Sequence, residues 1–357
     1  MRLAQLDINN VRNLVGAHLE CCPGINCLYG ENAAGKTAVL EAIHLLARAR
    51  SFRTPRIGNV IQHGRTSLTV VAQLVDDNGR HIITGLDKSV SSTQIHFNGA
   101  RITRRSEQAQ NLPLLIITPD SQRILAGTPR ERRHWLDWAM FHMEPDYIGS
   151  WQNYYQALRH RNILLRKGGK DEQFSFWENA MADAAERIIV LRREYISRLQ
   201  EGLQQCADGL FKGVKIAINS AGDGKETYLN CLRTQRDNDI RLGHTQSGPH
   251  REDITFYTNG HEAGKTLSRG EGKLFVILLM LVQAYEYQTK KREYPLILID
   301  DLSVELDGKT REVVFALLSA LNMQIFITAT TPEIRKVKNT AYRRFHVKQG
   351  KVTKVVK

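Results

Sequence analysis

Gly30-Glu31-Asn32-Ala33-Ala34-Gly35-Lys36-Thr37 follows the apolar run Ile25-Asn26-Cys27-Leu28-Tyr29 and spells G-x-x-x-x-G-K-T. No other stretch restricts the fold so tightly. A strand that stops at Gly30 and resumes as a helix from Thr37 to Ala47 aims free backbone N–H groups, and the positive end of the helix dipole, at one point. A triphosphate fits that point. Gly30 and Gly35 allow close backbone approach, Lys36 reaches the β- and γ-phosphates, and the Thr37 hydroxyl can ligate Mg²⁺. Glu31, Asn32, Ala33 and Ala34 complete the loop, so the stretch predicts a site for ATP and Mg²⁺.

Such a loop needs a partner strand that ends in an acid to hold the metal. Leu296-Ile297-Leu298-Ile299-Asp300-Asp301 supplies four apolar residues of a buried parallel strand and then a carboxylate pair. Asp300 is expected to serve Mg²⁺, through water, and Asp301 to orient the attacking water. More than 250 residues separate the two motifs, far more than in a compact nucleotide kinase or small GTPase. Just before the strand stands Thr266-Leu267-Ser268-Arg269-Gly270-Glu271, leading into a helix from Lys273 to Tyr287. Just after it come Ser303-Val304-Glu305-Leu306-Asp307 and the buried strand Gln324 to Thr330. Taken alone, Ser268 could also be read as a helix N-cap, and Asp300-Asp301 as a polar strand exit.

Between these motifs the chain changes character. From Leu3 to Leu28 two strands flank Asn9-Asn10-Val11-Arg12-Asn13, and residues 66 to 118 read as an antiparallel meander that includes Leu114-Leu115-Ile116-Ile117. From about Arg130 to Gly209 the period is helical, with all four Trp (Trp135, Trp138, Trp151, Trp177). The best helix, Phe174 to Cys206, puts Trp177, Met181, Ala184, Ile188, Leu191, Tyr195, Leu199 and Leu203 on one face. Its polar face, with Arg187, Arg192, Arg193 and Arg198, is the candidate for phosphate contact, and the aromatics read as core rather than base-stacking surface. The cluster Arg48, Arg50, Arg53, Arg56 reads either as a solvated loop or as a phosphate-contacting edge. A turn is expected at Gly222-Asp223-Gly224. Three segments result: 1–118 and 244–357 as the two parts of an ATPase lobe, and 119–243 as a helical lobe.

Fifty Lys and Arg against 37 Asp and Glu give a net charge of +13, which favours a polyanionic partner such as nucleic acid. Hydrophobic residues at 42% and charged residues at 24% are ordinary for a globular protein. The five cysteines lack zinc-ligand spacing and read as reduced thiols of a cytosolic protein. The start of the chain reads as a strand, so no signal peptide is expected. No apolar run reaches the roughly 18 residues of a membrane span, so no membrane partner is expected.

The order P-loop, helical insertion, L-S-x-G, acidic strand end, S-x-x-L-D and final strand resembles the ABC-type ATPase heads. The form Gly-x-Asn-Ala-x-Gly-Lys-Thr, Val11-Arg12-Asn13-Leu14, Thr118-Pro119-Asp120, Gly127-x-Pro129-x-x-x-Arg132-Arg133-x-x-Leu136-Asp137 and Ser247-Gly248-Pro249-His250-Arg251-Glu252-Asp253 narrow the resemblance to the bacterial RecF family. That resemblance implies an α/β protein: an ABC-type P-loop ATPase head with an antiparallel β subdomain and an inserted helical lobe. It implies a cytosolic recombination-repair ATPase that binds gapped or duplex DNA as an ATP-dependent homodimer and, with RecR and RecO, promotes RecA loading. It adds Arg12 and Gly270 to the expected nucleotide contacts, with Ser268 and Gly270 reaching the nucleotide of the opposite subunit. Asp301 stands where ABC heads usually carry Glu, and Thr328-Ala329-Thr330 replaces a transporter histidine, which suits slow, switch-like hydrolysis. The rival readings are an SMC-type structural head, which would need sustained heptads, and the ATP-binding subunit of a transporter.

Overall fold

The computed structural model describes residues 1–219, 225–301, 308–321, 323–331 and 341–355. The expected turn at Gly222-Asp223-Gly224 and the Ser303 to Asp307 segment lie outside the described residues. The chain divides into two compact units, Met1–Ser121 with Tyr287–Lys357, and Gln122–Glu286.

The first unit opens with β1 (Arg2–Val11), β2 (Leu14–Glu20), β3 (Ile25–Tyr29) and α1 (Lys36–Arg48). It continues with β4 (Ser67–Val75), β5 (His81–Ser89), β6 (Thr93–Phe97), β7 (Ala100–Ile102), α2 (Arg105–Asn111) and β8 (Leu114–Ile117). Six of these strands form an antiparallel sheet in the order β2-β1-β4-β5-β6-β7. β4 alternates as a half-buried strand must, with Leu68, Val70, Ala72 and Leu74 inward. In β1 the inward residues change phase between Leu3 and Leu6, and a register irregularity between Leu3 and Gln5 absorbs the change.

The second unit holds α3 (Arg123–Ala126), α4 (Pro129–Met143), α5 (Pro145–Lys167), α6 (Asp171–Ala207), β9 (Lys215–Asn219), α7 (Lys225–Thr234) and α8 (Arg236–Leu242). After these come β10 (Asp253–Thr258), β11 (His261–Glu262), α9 (Ala263–Thr266) and most of α10 (Arg269–Lys291). α6 spans 37 residues, about 55 Å at 1.5 Å per residue. Its expected apolar face is buried from Met181 to Leu203, whereas Trp177 is half-buried and stacks on His160 at 4.2 Å between ring centroids. Of the four Trp only Trp135 is buried.

Two expectations are corrected in this unit. Arg192 does not face solvent: its side chain is 3% exposed, with Glu252 at 2.5 Å and Asp137 at 2.8 Å. A buried guanidinium needs such partners, and they come from elements distant in sequence. Residues 244–286, expected with the P-loop, fall in this unit. β10 pairs antiparallel with β9, and Asp253 holds Arg132 of α4 at 2.6 Å. His250, for which sequence reading offers no role, accepts or donates through Nδ1 to the Tyr154 hydroxyl (2.7 Å) and lies 3.2 Å through Nε2 from the Thr245 carbonyl.

The chain then returns to the first unit with β12 (Leu296–Ile299), α11 (Gly308–Ala320), β13 (Ile325–Ala329), β14 (Tyr342–Lys348) and β15 (Lys351–Val355). These strands join β3 and β8 in a sheet ordered β15-β14-β3-β13-β12-β8, parallel throughout except for the β14–β15 hairpin. β8 is therefore not the last strand of the meander. It pairs parallel with β12, and its near-continuous burial is what a strand covered on both faces requires. α1 lies between the two sheets, buried at every position from Ala38 to Ala47 and touching β1, β4 and β5 as well as β13.

Candidate nucleotide-binding site

β3 ends at Tyr29 and α1 begins at Lys36, so residues 30–35 form the loop that the motif anticipates. The tip, Glu31, Asn32 and Ala33, is exposed, while Ala34 is buried. Gly30 sits at φ +152°, and a Cβ there would come within 2.1 Å of the Val347 carbonyl oxygen, so the chain reverses against β14 only with glycine. Ala33 and Gly35 also take positive φ, 62° and 115°. The Lys36 ammonium donates to the carbonyls of Gly30 (2.7 Å) and Glu31 (2.8 Å), folding the side chain back over the loop. Burial holds its pKa below the ordinary lysine value, against the opposing pull of Asp301 and Asp300.

β13 lies between β3 and β12 in the sheet, so the parallel register carries the second motif to the first. The Thr37 hydroxyl donates to Asp300 Oδ1 at 3.0 Å, across 263 positions of sequence. Thr328 of β13 donates to the same oxygen at 2.8 Å and accepts the Asp301 N–H at 2.7 Å. Asp301 takes a left-handed backbone, φ 58°, and so turns away from the strand axis as β12 ends.

Three further residues support the loop. Asn13 Nδ2 donates to the Ala33 carbonyl (3.2 Å), and the Gly350 N–H, from the β14–β15 turn, donates to that of Ala34 (2.9 Å). Tyr29 stacks on His346 with ring centroids 5.0 Å apart. Asn13 stands inside a sequence motif, but nothing in the sequence marks Gly350, His346 or Thr328 as neighbours of the loop. Arg12, expected at the nucleotide, is turned to the P-loop helix: Nε and Nη2 grip the fully buried Glu41 at 2.8 and 2.9 Å, and Nη1 donates to the Asn59 carbonyl.

A hydroxyl and a carboxylate meet beside a lysine and a helix N-terminus. That all-oxygen set suits a hard cation that takes its other ligands from phosphate and water, as Mg²⁺ does. Among the described residues no group of three His, Cys, Asp or Glu gathers to enclose a metal.

Ser268 and Gly270 lie in the second unit, at the start of α10. Ser268 is exposed; its N–H donates to Glu271 Oε2 (2.9 Å), and its Oγ accepts the Glu271 N–H (3.4 Å). This is a reciprocal capping box. It satisfies two helix N-terminal donors and presents a hydroxyl at the positive end of a 23-residue helix.

A family profile described as the RecF/RecN/SMC N terminal domain matches residues 2–353. The DNA replication and repair protein RecF of Pseudomonas syringae pv. syringae (strain B728a) is 37% identical over 360 residues, covering 99% of this chain and 98% of the relative. The protein of the same name from Stutzerimonas stutzeri (strain A1501) is 36% identical over 363 residues, with the same coverage. Among solved structures, the recombination mediator protein RecF of the RecFOR pathway aligns as RecF-ATPrS with TM-score 0.87 and 25% identity. As RecF-ATP it aligns with TM-score 0.86 and 26% identity, and both alignments cover 99% of this chain and 98% of that one. An Smc head domain derived from Pyrococcus furiosus aligns with TM-score 0.62 at 14% identity over 99% of this chain and 96% of that one, a likeness of fold.

Proposed function

Because this chain belongs to the RecF family, within the RecF/RecN/SMC N-terminal-domain proteins, we propose that it is a DNA-binding ATPase of recombinational repair and replication recovery, acting in the RecFOR pathway. The observation that carries this is the meeting of Lys36, Thr37 and Asp300 at one loop, from segments 263 positions apart. Gly30 to Thr37 bind the phosphates of ATP through backbone N–H groups and the Lys36 ammonium. Thr37 and, through water, Asp300 hold Mg²⁺, which when bound neutralises phosphate charge. Asp301 positions the attacking water, and Thr328 holds both aspartates in place. Arg12 acts through Glu41 by fixing α1, and so the loop. Ser268 and Gly270 reach the γ-phosphate held by a second copy, so that ATP joins a homodimer on gapped or duplex DNA and slow, DNA-stimulated hydrolysis releases it. RecR, RecO and RecA are the partners this reading implies. Among the described residues no helix is long and apolar enough to cross a membrane.

The test follows solution size and DNA residence. With ATP and duplex DNA the protein is expected to double in mass, and Lys36→Ala to stay monomeric. Asp301→Asn should form the dimer and stay on DNA at least tenfold longer than wild type after a chase, as a loss confined to the hydrolysis step requires. Dissociation of Asp301→Asn at the wild-type rate would mean that hydrolysis does not time release.

A further inference from the structure

The antiparallel part of the first unit carries a feature that the nucleotide site does not use. A cavity of about 260 Å³ opens between the segment after α1 and the β5–β6 turn, and no acidic residue lines it. Arg50, Lys88, Arg105, Ser89, Ser91 and Ser92 are among its walls. Lys88 is the informative one. The residue is 8% exposed, and its ammonium donates to the Thr93 hydroxyl at 2.6 Å. Among the described residues no carboxylate pairs with it. Burial, and then the Arg105 charge, hold its pKa below the ordinary lysine value. A buried cation is normally matched by a carboxylate or another anion, and here a second cation stands beside it instead.

We propose that this cavity binds a phosphate group of a nucleic-acid backbone, at a place separate from the P-loop. The ammonium and the Arg105 guanidinium would supply charge, and the serine-rich turn Ser89 to Ser92 hydroxyl donors, a set that suits phosphate oxygens. A polymer is favoured over a free phosphate because exposed Arg53 and Arg56 follow on the same segment. Cations spaced along an open rim match repeated phosphates. The inference rests on the DNA-binding reading above and deepens it by locating one contact.

The test uses the full chain with ATP saturating the P-loop. A labelled duplex is titrated across a salt series, and inorganic phosphate is followed separately by ³¹P line width. The Lys88→Gln/Arg105→Gln double variant is expected to weaken duplex binding about tenfold or more near 0.1 M salt, and to reduce the slope of log K against log salt by about one per cation removed. Ser91→Asp changes only an exposed turn residue and guards against misfolding; it too should weaken duplex binding and abolish phosphate broadening. ATP turnover without DNA should be unchanged in both. Wild-type duplex affinity and slope in the variants would overturn the cavity assignment and leave the DNA-binding reading standing. Absence of duplex binding by the wild type would instead sink that reading. If phosphate broadening were then lost in the variants, the site would belong to a free anion and the nucleic-acid assignment would fall.

Discussion

Thr328 connects both aspartates of the site through one hydroxyl, accepting from the Asp301 amide and donating to Asp300. Thr328→Val keeps the shape and removes both bonds. ATP turnover is expected to fall about 10- to 100-fold, the usual cost of freeing a ligand from its orienting partner. Stability should drop by about 1 kcal/mol, because a part-buried N–H loses its acceptor. Phosphate release and thermal unfolding measured together check this; wild-type turnover in a destabilised variant would confine the hydroxyl to a structural role. Lys36, Thr37 and Asp300 were legible in the sequence because phosphate and Mg²⁺ chemistry demands those groups at fixed spacing. Thr328 was not. A threonine in an apolar strand has no signature until the register Ile299 to Ile327 sets it beside Asp300.

Ser268 shows how one element can answer two readings. The capping box is present, so the hydroxyl stabilises α10 whether or not it meets a nucleotide. Ser268→Asp separates the roles, since Asp caps a helix as well as Ser but would set a carboxylate against a γ-phosphate. Its melting temperature should stay near wild type while the ATP-dependent dimer is lost. Ser268→Ala should reverse the pattern, costing about 1 kcal/mol of stability while weakening the dimer less. If Ser268→Asp still dimerises with ATP, the serine is a cap and nothing more. Element types were readable wherever periodicity was long: α6 and α10 appear where expected, each starting a few residues earlier. β8 was assigned to the wrong sheet because a four-residue apolar run carries strand propensity but no address.

Charge and acid response belong to the chain as a whole. Net charge of +13 is not a count of exposed cations, because Arg161 and Arg192 lie inside the second unit, but the carboxylates of Glu178, Asp239 and Glu252 are buried with them, so this burial takes nothing from the positive excess that faces a polyanion. Each unit also holds a histidine that folding desolvates. His44, bonded to the Arg50 carbonyl, and His250, bonded to Tyr154 and Thr245, both have pKa values lowered to about 4, chiefly by burial. An unfolded histidine titrates near 6.5, so between pH 6.5 and 4 the unfolded chain binds the extra protons. Stability is therefore complete above about pH 6.5 and declines as pH falls to about 4, by up to about 3 kcal/mol for each histidine. Denaturant unfolding at pH 7.5, 6 and 5 checks this. His44→Gln or His250→Gln should flatten part of the decline, and an unchanged slope in both would show that carboxylates alone cause it.

The loop, the acid pair and the long helices could be read from residues alone, because local chemistry and a 3.6-residue period leave a trace in the order of amino acids. Membership in a unit could not. Residues 244–286 come after the turn expected at Gly222-Asp223-Gly224 and so read as part of the ATPase lobe, whereas what holds them in the second unit is β9–β10 pairing and the Arg132–Asp253 ion pair. The same is true of Arg192, exposed by its position in a polar run and buried by Asp137 and Glu252, and of Gly350, which bonds to Ala34 from the far end of the chain. Each depends on a partner distant in sequence, and such a partner is chosen by packing and hydrogen-bond satisfaction after the elements have formed.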